Sequence, residues 1–160
     1  MIAPKQQSRA RTLFTIGYEG LNTADFLKYL DYHRIEVLVD VRELAFSRKR
    51  GFSKTALRTA TEQAGVQYVH IRELGSPRED RHELKESWDY KSFFKAYRRH
   101  LEDQSDAIDS LLDLLAENDR VCLMCFEKEH EKCHRSSLAA FISEQFEGAL
   151  KVEPVKTWVK

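Results

Sequence analysis

Two stretches of this 160-residue chain carry side chains that do chemistry when a fold brings them together. The first is Asp40 with Arg42, at the end of the apolar run Val37-Leu38-Val39. A charge at the end of a buried strand is costly unless it is paired or hydrogen-bonded. Such a pair either offers a ligand a carboxylate and a guanidinium, or braces the loop that follows. The second stretch runs from Cys125 through Glu127 to Cys133-His134-Arg135. Its last three residues stand at an expected helix start, where unpaired backbone N–H groups and the helix dipole attract an anion. Arg135, Ser136 and Ser137 add donors there. A thiol in that setting ionises more readily, so Cys125 or Cys133 is a candidate nucleophile. His134 is the group expected to titrate near neutral pH beside it. Glu127 shares the face of Cys125 if the strand reaches that far, as a base or a hydroxyl-binding carboxylate. The competing view makes the cysteines small buried packers and His134 a helix cap.

Cys122, Cys125, His130, Cys133 and His134 also supply zinc-type ligands. Cys122 and Cys125 fall on an expected strand, however, where positions three apart point to opposite faces. No metal and no cofactor is therefore expected. One basic cluster stands out: Arg42, Arg48, Lys49, Arg50, Lys54 and Arg58, opposed only by Glu43. With Tyr18, Phe46 and Phe52 nearby it could follow a phosphate backbone and stack a base. A solvated loop and helix face is the alternative.

The elements that must position these groups alternate in type. Leu13 to Ile16 reads as a strand halted by Gly17, and Asn22 caps a helix with Phe26, Leu27 and Leu30 on one face. Residues 37–41 are apolar on both faces, as in a central parallel strand. Ser53 caps a second helix, with Ala56, Leu57, Ala60 and Ala64 on one face and Gly65 ending it. A third strand covers 66–69, with His70 at its end as a possible far wall of a crevice. A charged loop over 71–87 could cover that crevice. Two helices lie between 88 and 117, broken near 103–105. A fourth buried strand covers 120–126, a helix 133–146, and a short edge strand 151–155. This order implies right-handed crossovers and a three-layer α/β/α, Rossmann-like fold with a mostly parallel sheet of four or five strands. Strands one and four would then be neighbours at a switch point, with ligands beyond their carboxyl ends. Residues 1–11 read as a mobile tail and 12–160 as a single α/β domain.

Bulk properties narrow the partners. Lys plus Arg equal Asp plus Glu at 26 each, so no overall field draws the chain to nucleic acid or an anionic membrane. No apolar run approaches the roughly 20 residues that span a bilayer. Met1 to Arg11 has no apolar stretch of the kind found in secretory signals. Three cysteines within a dozen positions make a poor disulfide framework, so reduced thiols and a cytoplasmic location are expected.

In order along the chain stand Thr15-Ile16-Gly17-Tyr18-Glu19-Gly20, Val39-Asp40-Val41-Arg42 with Ser47-Arg48, and Tyr68-Val69-His70 before Leu74-Gly75. Cys125-Phe126-Glu127 and Cys133-His134-Arg135 complete the set. Together these resemble the domain of unknown function 488 family over about residues 13 to 146. The resemblance implies a three-layer α/β fold in a bacterial or archaeal cytosolic protein. It also implies recurrent polar residues at Asp40, Arg42, Ser47, Arg48, Cys125, Glu127, Cys133, His134 and Arg135. It names no reaction. Where the family pattern has a histidine followed by serine or threonine after the first glycine, this chain has Tyr18-Glu19, which would alter substrate choice if that position touches ligand. Asp-Val-Arg after a strand is also loosely similar to sulfur-transferring rhodanese domains, although the acidic run Glu127 to Glu131 suits an anion-cradling loop badly.

The functional expectation is a pocket for a phosphate-bearing ligand, a nucleotide or a nucleic-acid end. Tyr18, Arg42, Ser47, Arg48 and Arg135 would bind it. Asp40, Glu127, His134, Cys125 and Cys133 would supply the chemistry. The alternatives are a non-catalytic nucleic-acid-binding module built on the 42–58 patch, and a cysteine-dependent sulfur-transfer or redox enzyme.

Overall fold

The computed structural model describes residues 11–146 and 149–157. Five strands form one sheet: β1 (Arg11–Gly17), β2 (Val37–Asp40), β3 (Gln67–His70), β4 (Arg120–Cys125) and β5 (Leu150–Pro154). Their order is β3-β2-β4-β1-β5, and every pairing is parallel. Six α-helices connect them: α1 (Thr23–Tyr32), α2 (Lys54–Gln63), α3 (Arg78–Ser87), α4 (Tyr90–Glu102), α5 (Ser105–Glu117) and α6 (His134–Ser143). This is the expected three-layer α/β/α architecture.

Alternation along the strands divides the core in two. Leu13, Val39, Leu123 and Cys125 pack with Leu101, Leu111, Leu138 and Ile142 of the later helices. Phe14, Leu38, Cys122 and Met124 pack with Phe26 and Leu30 of α1 and Leu57 of α2. Cys122 and Cys125 thus face opposite layers, as their spacing requires. β1 and β4 run side by side, with Gly17 opposite Cys125. The chain leaves β1 toward β2 and leaves β4 toward β5, in opposite directions, but no crevice separates the two ends: past the strands the Tyr18 N–H donates to Cys125 O and the Glu19 N–H to Phe126 O.

Several local expectations are corrected. Residues 1–10 of the expected tail lie outside the described residues, but Arg11 is the first residue of β1. It is 2% exposed and donates to Leu115 O and to Asn118 O. The segment expected as a loop over 71–87 contains α3. This helix buries no residue, so it lacks the apolar stripe that reveals a helix. On α2 the buried side chains are Leu57 and Thr61, while Ala56 and Ala64 are exposed. Ser53 occupies the N-cap position, but its hydroxyl bonds Ser47 rather than the helix. No described helix is long and apolar enough to cross a membrane.

Candidate functional site

The polar side chains form two clusters at the carboxyl edge of the sheet. In the first, the fully buried Asp40 carboxylate accepts Arg42 Nε at 2.8 Å, Arg42 Nη2 at 2.7 Å and the Arg42 backbone N–H at 3.2 Å. The Tyr68 hydroxyl donates to it as well. Arg42 also donates to Phe52 O at 2.7 Å and to Tyr18 Oη at 3.3 Å. Burial opposes the Arg42 charge, yet the bonds and charge of Asp40 prevail and raise its pKa. Burial, then Asp40, drives the Tyr68 hydroxyl upward too. Asp40, Arg42 and Tyr18 therefore form a closed internal network. Tyr68, the fourth member, stands in the quoted family pattern but was not expected at the site.

The second cluster lies where β4 ends and α6 begins. Cys133 is the N-cap of α6 and accepts the Arg135 N–H at 3.5 Å. The expectation of reduced thiols is corrected: Cys125 and Cys133 are joined in a disulfide, while Cys122 is a free, buried thiol. The single turn at His130–Lys132 folds the intervening loop back and brings the pair together. Burial holds the Cys122 thiol well above the ordinary thiol range, as expected of an inert packing residue. Arg135 is 1% exposed and places Nη1 3.0 Å from Cys125 Sγ. It also donates to Glu127 O and, at 3.1 Å, to Lys128 O. Burial pulls its pKa down to about 10, so it stays charged at neutral pH. The Glu127 carboxylate stands 3.6 Å from Cys125 Sγ although the strand has already ended. Burial raises its pKa, partly offset by Arg135.

His134 departs from its expected role. Its Nε2 lies 2.7 Å from Val41 O, and burial lowers its pKa to about 4, with Arg135 and Arg81 acting in the same direction. It is neutral near pH 7 rather than titrating there. Between pH 4 and 6.5 the unfolded chain protonates this ring and the folded chain does not, so stability rises with pH across that window. The full shift is worth roughly 3 kcal/mol, present above pH 6.5 and lost as pH falls toward 4. Urea unfolding at pH 4.5 and 7 should show this loss in the native chain and a smaller one in His134→Gln. Equal losses in both would assign the pH dependence to other groups.

A cleft of about 440 Å³ covers this second cluster. Its floor includes Arg42, Cys125, Glu127 and His134, and its walls carry Arg81, Lys85, Lys132, Trp88 and Phe126. Arg81 is held by Glu43 at 3.0 Å and donates to Ser76 O. A larger, more open depression of about 750 Å³ runs beside β3 and the start of α5, but no cysteine lines it, and His70 there bonds Arg42 O. Ser47 braces the 47–53 loop through Ser53 and Lys49, and Arg48 is exposed; neither lines the cleft. Arg50, Lys54 and Arg58 of the basic patch are exposed as well. The 71–87 segment, expected as a covering loop, does line the cleft through Ser76, Arg81, Leu84 and Lys85, but as helix α3, and Trp88 at its end joins them. Pro77 followed by Glu79 and Asp80, with Lys85 in the last turn, was the available signal for that helix.

No curated protein and no solved structure matches the chain. The model of the family described as domain of unknown function DUF488 matches residues 22–142, which include β2 to β4, both polar clusters except Tyr18, and most of α6; the chain belongs to that family.

Proposed function

We propose that the chain is a thiol-dependent redox enzyme, with Cys125 as the attacking thiolate and Cys133 as its resolving partner. One arrangement carries this reading. Cys125 opens on the cleft, Cys133 is bonded to it at the start of α6, and the Arg135 guanidinium lies 3.0 Å from the Cys125 sulfur. In the reduced pair, that positive charge and the helix N-terminus favour the thiolate. Cys125 then attacks one sulfur of a substrate disulfide and expels the other as a thiolate, leaving a mixed disulfide. Cys133 attacks Cys125 Sγ, expels the second thiolate and closes the intramolecular disulfide. Two electrons pass from the cysteine pair to the substrate.

The cleft walls suggest the kind of substrate. Lys85, Lys132 and Arg81 favour anionic substituents, phosphate among them, and Trp88 and Phe126 supply flat apolar surface. Arg42 and the two Nη atoms of Arg135, expected to hold phosphate, donate to protein acceptors, while Arg135 Nε has no partner among the described residues.

The test uses an anionic aromatic disulfide, dithiobis(nitrobenzoate), on pre-reduced protein. Cys133→Ser should hold a mixed disulfide at Cys125, seen by peptide mass. The native chain should release two aryl thiolates and re-form its own disulfide. If Cys125 and Cys133 react no faster than buried Cys122, the proposal fails.

A further inference from the structure

The reduced form of the same pair has a second chemical option. Cys125 Sγ, Cys133 Sγ and a ring nitrogen of His134 all lie within 4.8 Å of one another. His134 Nε2 faces Val41 O at 2.7 Å, and a carbonyl can only accept, so Nε2 carries the proton. Nδ1 is then left with its lone pair, 3.7 Å from Cys133 Sγ. A backbone carbonyl that fixes the tautomer of a ligating histidine is the usual outer support of a metal site.

Backbone spacing points the same way. The Cα atoms of Cys125 and Cys133 are 7.4 Å apart. Disulfides favour about 4.4–6.8 Å. With metal–sulfur bonds of about 2.3 Å at a tetrahedral angle, two thiolates bridged by one ion sit roughly 3.8 Å apart, which suits a wider pair of backbones. We propose that the reduced protein binds one zinc-class divalent ion through Cys125, Cys133 and His134 Nδ1, with the fourth position open to the cleft.

Charge and ligand type agree with this choice. Two thiolates and an imidazole select zinc over magnesium or calcium. Arg135, 3.0 Å from Cys125 Sγ, supplies an N–H bond to a ligating thiolate. Glu127, 3.6 Å from that sulfur, is a carboxylate close enough to balance the added positive charge. The set differs from the Cys122–Cys125 spacing, because Cys122 faces the opposite layer.

The inference rests on the proposed redox reading only in requiring that the pair be reducible, and it adds a consequence. A small-molecule disulfide would oxidise the two ligating thiolates to the Cys125–Cys133 bond, become two thiolates itself, and release the divalent ion. Metal loading and thiol oxidation would exclude one another.

The test titrates Co²⁺ or Zn²⁺ into the full chain, reduced and freed of reductant under anaerobic conditions. One Co²⁺ per chain should bind with a sulfur-to-metal charge-transfer band. Cys122→Ser should leave the band unchanged. Cys125→Ser, Cys133→Ser and His134→Gln should each weaken binding by more than the roughly 10–100-fold typical of a lost outer partner. Adding a disulfide oxidant to the zinc-loaded protein should release one zinc per chain to a chromogenic chelator. No charge-transfer band, a band that survives both cysteine variants, or a reduced chain that unfolds and is not restored by zinc would each overturn the proposal. Mixed-disulfide trapping in metal-free Cys133→Ser reads the redox function separately, so either idea can fail alone.

Discussion

Asp40→Leu should destabilise the fold by about 3–5 kcal/mol, the cost of leaving one partner of a buried ion pair uncompensated. Asp40 is 0% exposed, and its carboxylate is the acceptor for three donors of Arg42 and for the Tyr68 hydroxyl. Without it, the Arg42 guanidinium, itself 7% exposed, keeps only Phe52 O and Tyr18 Oη. Two neutral acceptors do not replace a carboxylate in a site shielded from water. A loss of this size is a large share of the roughly 5–15 kcal/mol that separates folded from unfolded domains. The double variant Asp40→Leu with Arg42→Met removes both charges and should recover most of it, because a buried pair contributes little beyond an apolar pair of similar volume. Urea titration reads both effects as midpoint shifts at constant slope. If the single variant loses under 1 kcal/mol, the pair is not the closed network described.

The same network marks the limit of what the residues alone reveal. That Asp40 needs a partner follows from the apolar run before it, and Arg42 is near enough to suggest itself. Tyr68 is not, because its role depends on register. Leu38 is aligned with Tyr68 across β2 and β3, so Tyr68 shares the face of Asp40 one step along the strand. No local pattern encodes that alignment. For the same reason, the residues alone left the pair between ligand contact and loop brace; hydroxyls and a carbonyl from three other segments tie it in place, with Arg42 still on the cleft floor.

The sheet was far more legible. Val37-Leu38-Val39 is apolar on both faces and lies between β3 and β4, where a parallel strand is covered on both sides. The adjacency of β1 and β4 followed from the doubly wound order. Helix α3 escaped because it buries nothing, and hydrophobic period is the main signal for a helix. The Cys125–Cys133 bond escaped because a separation of eight residues says nothing about approach; the turn at 130–132 decides it. Cys125, Glu127, Cys133, His134 and Arg135 do converge, as their positions around one strand end and one helix start suggested. What could not be read was which of them point into the protein. Arg135 does, bonded to the Cys125 sulfur and the 127–128 loop, whereas His134 turns Nε2 to Val41 O and still lines the cleft floor.

Gly17→Ala should cost about 3–5 kcal/mol and slow the reaction of Cys125. A Cβ at Gly17 would lie 1.6 Å from Glu127 O and 2.4 Å from Glu127 C, which no contact tolerates. These are backbone atoms, so the 127–128 segment must move as a unit, and overpacking of that kind costs about 1–3 kcal/mol by itself. The movement has a second cost. Glu127 O and Lys128 O are the acceptors for Arg135, and a buried donor that loses its partner forfeits about 1–3 kcal/mol more. With Arg135 unmoored, its guanidinium no longer stands over the Cys125 sulfur, and the thiolate loses its nearest positive charge. Gly20→Ala is the control. Gly20 has φ +83° with nothing within 4 Å of its Cβ position, so it should pay only the roughly 1–2 kcal/mol of a left-handed backbone and leave Cys125 reactivity intact. Urea midpoints and the rate of mixed-disulfide formation distinguish the two variants. If Gly17→Ala matches Gly20→Ala in both, then the ends of β1 and β4 do not meet at Glu127, and the Arg135 anchor is not what holds the cysteine site in place.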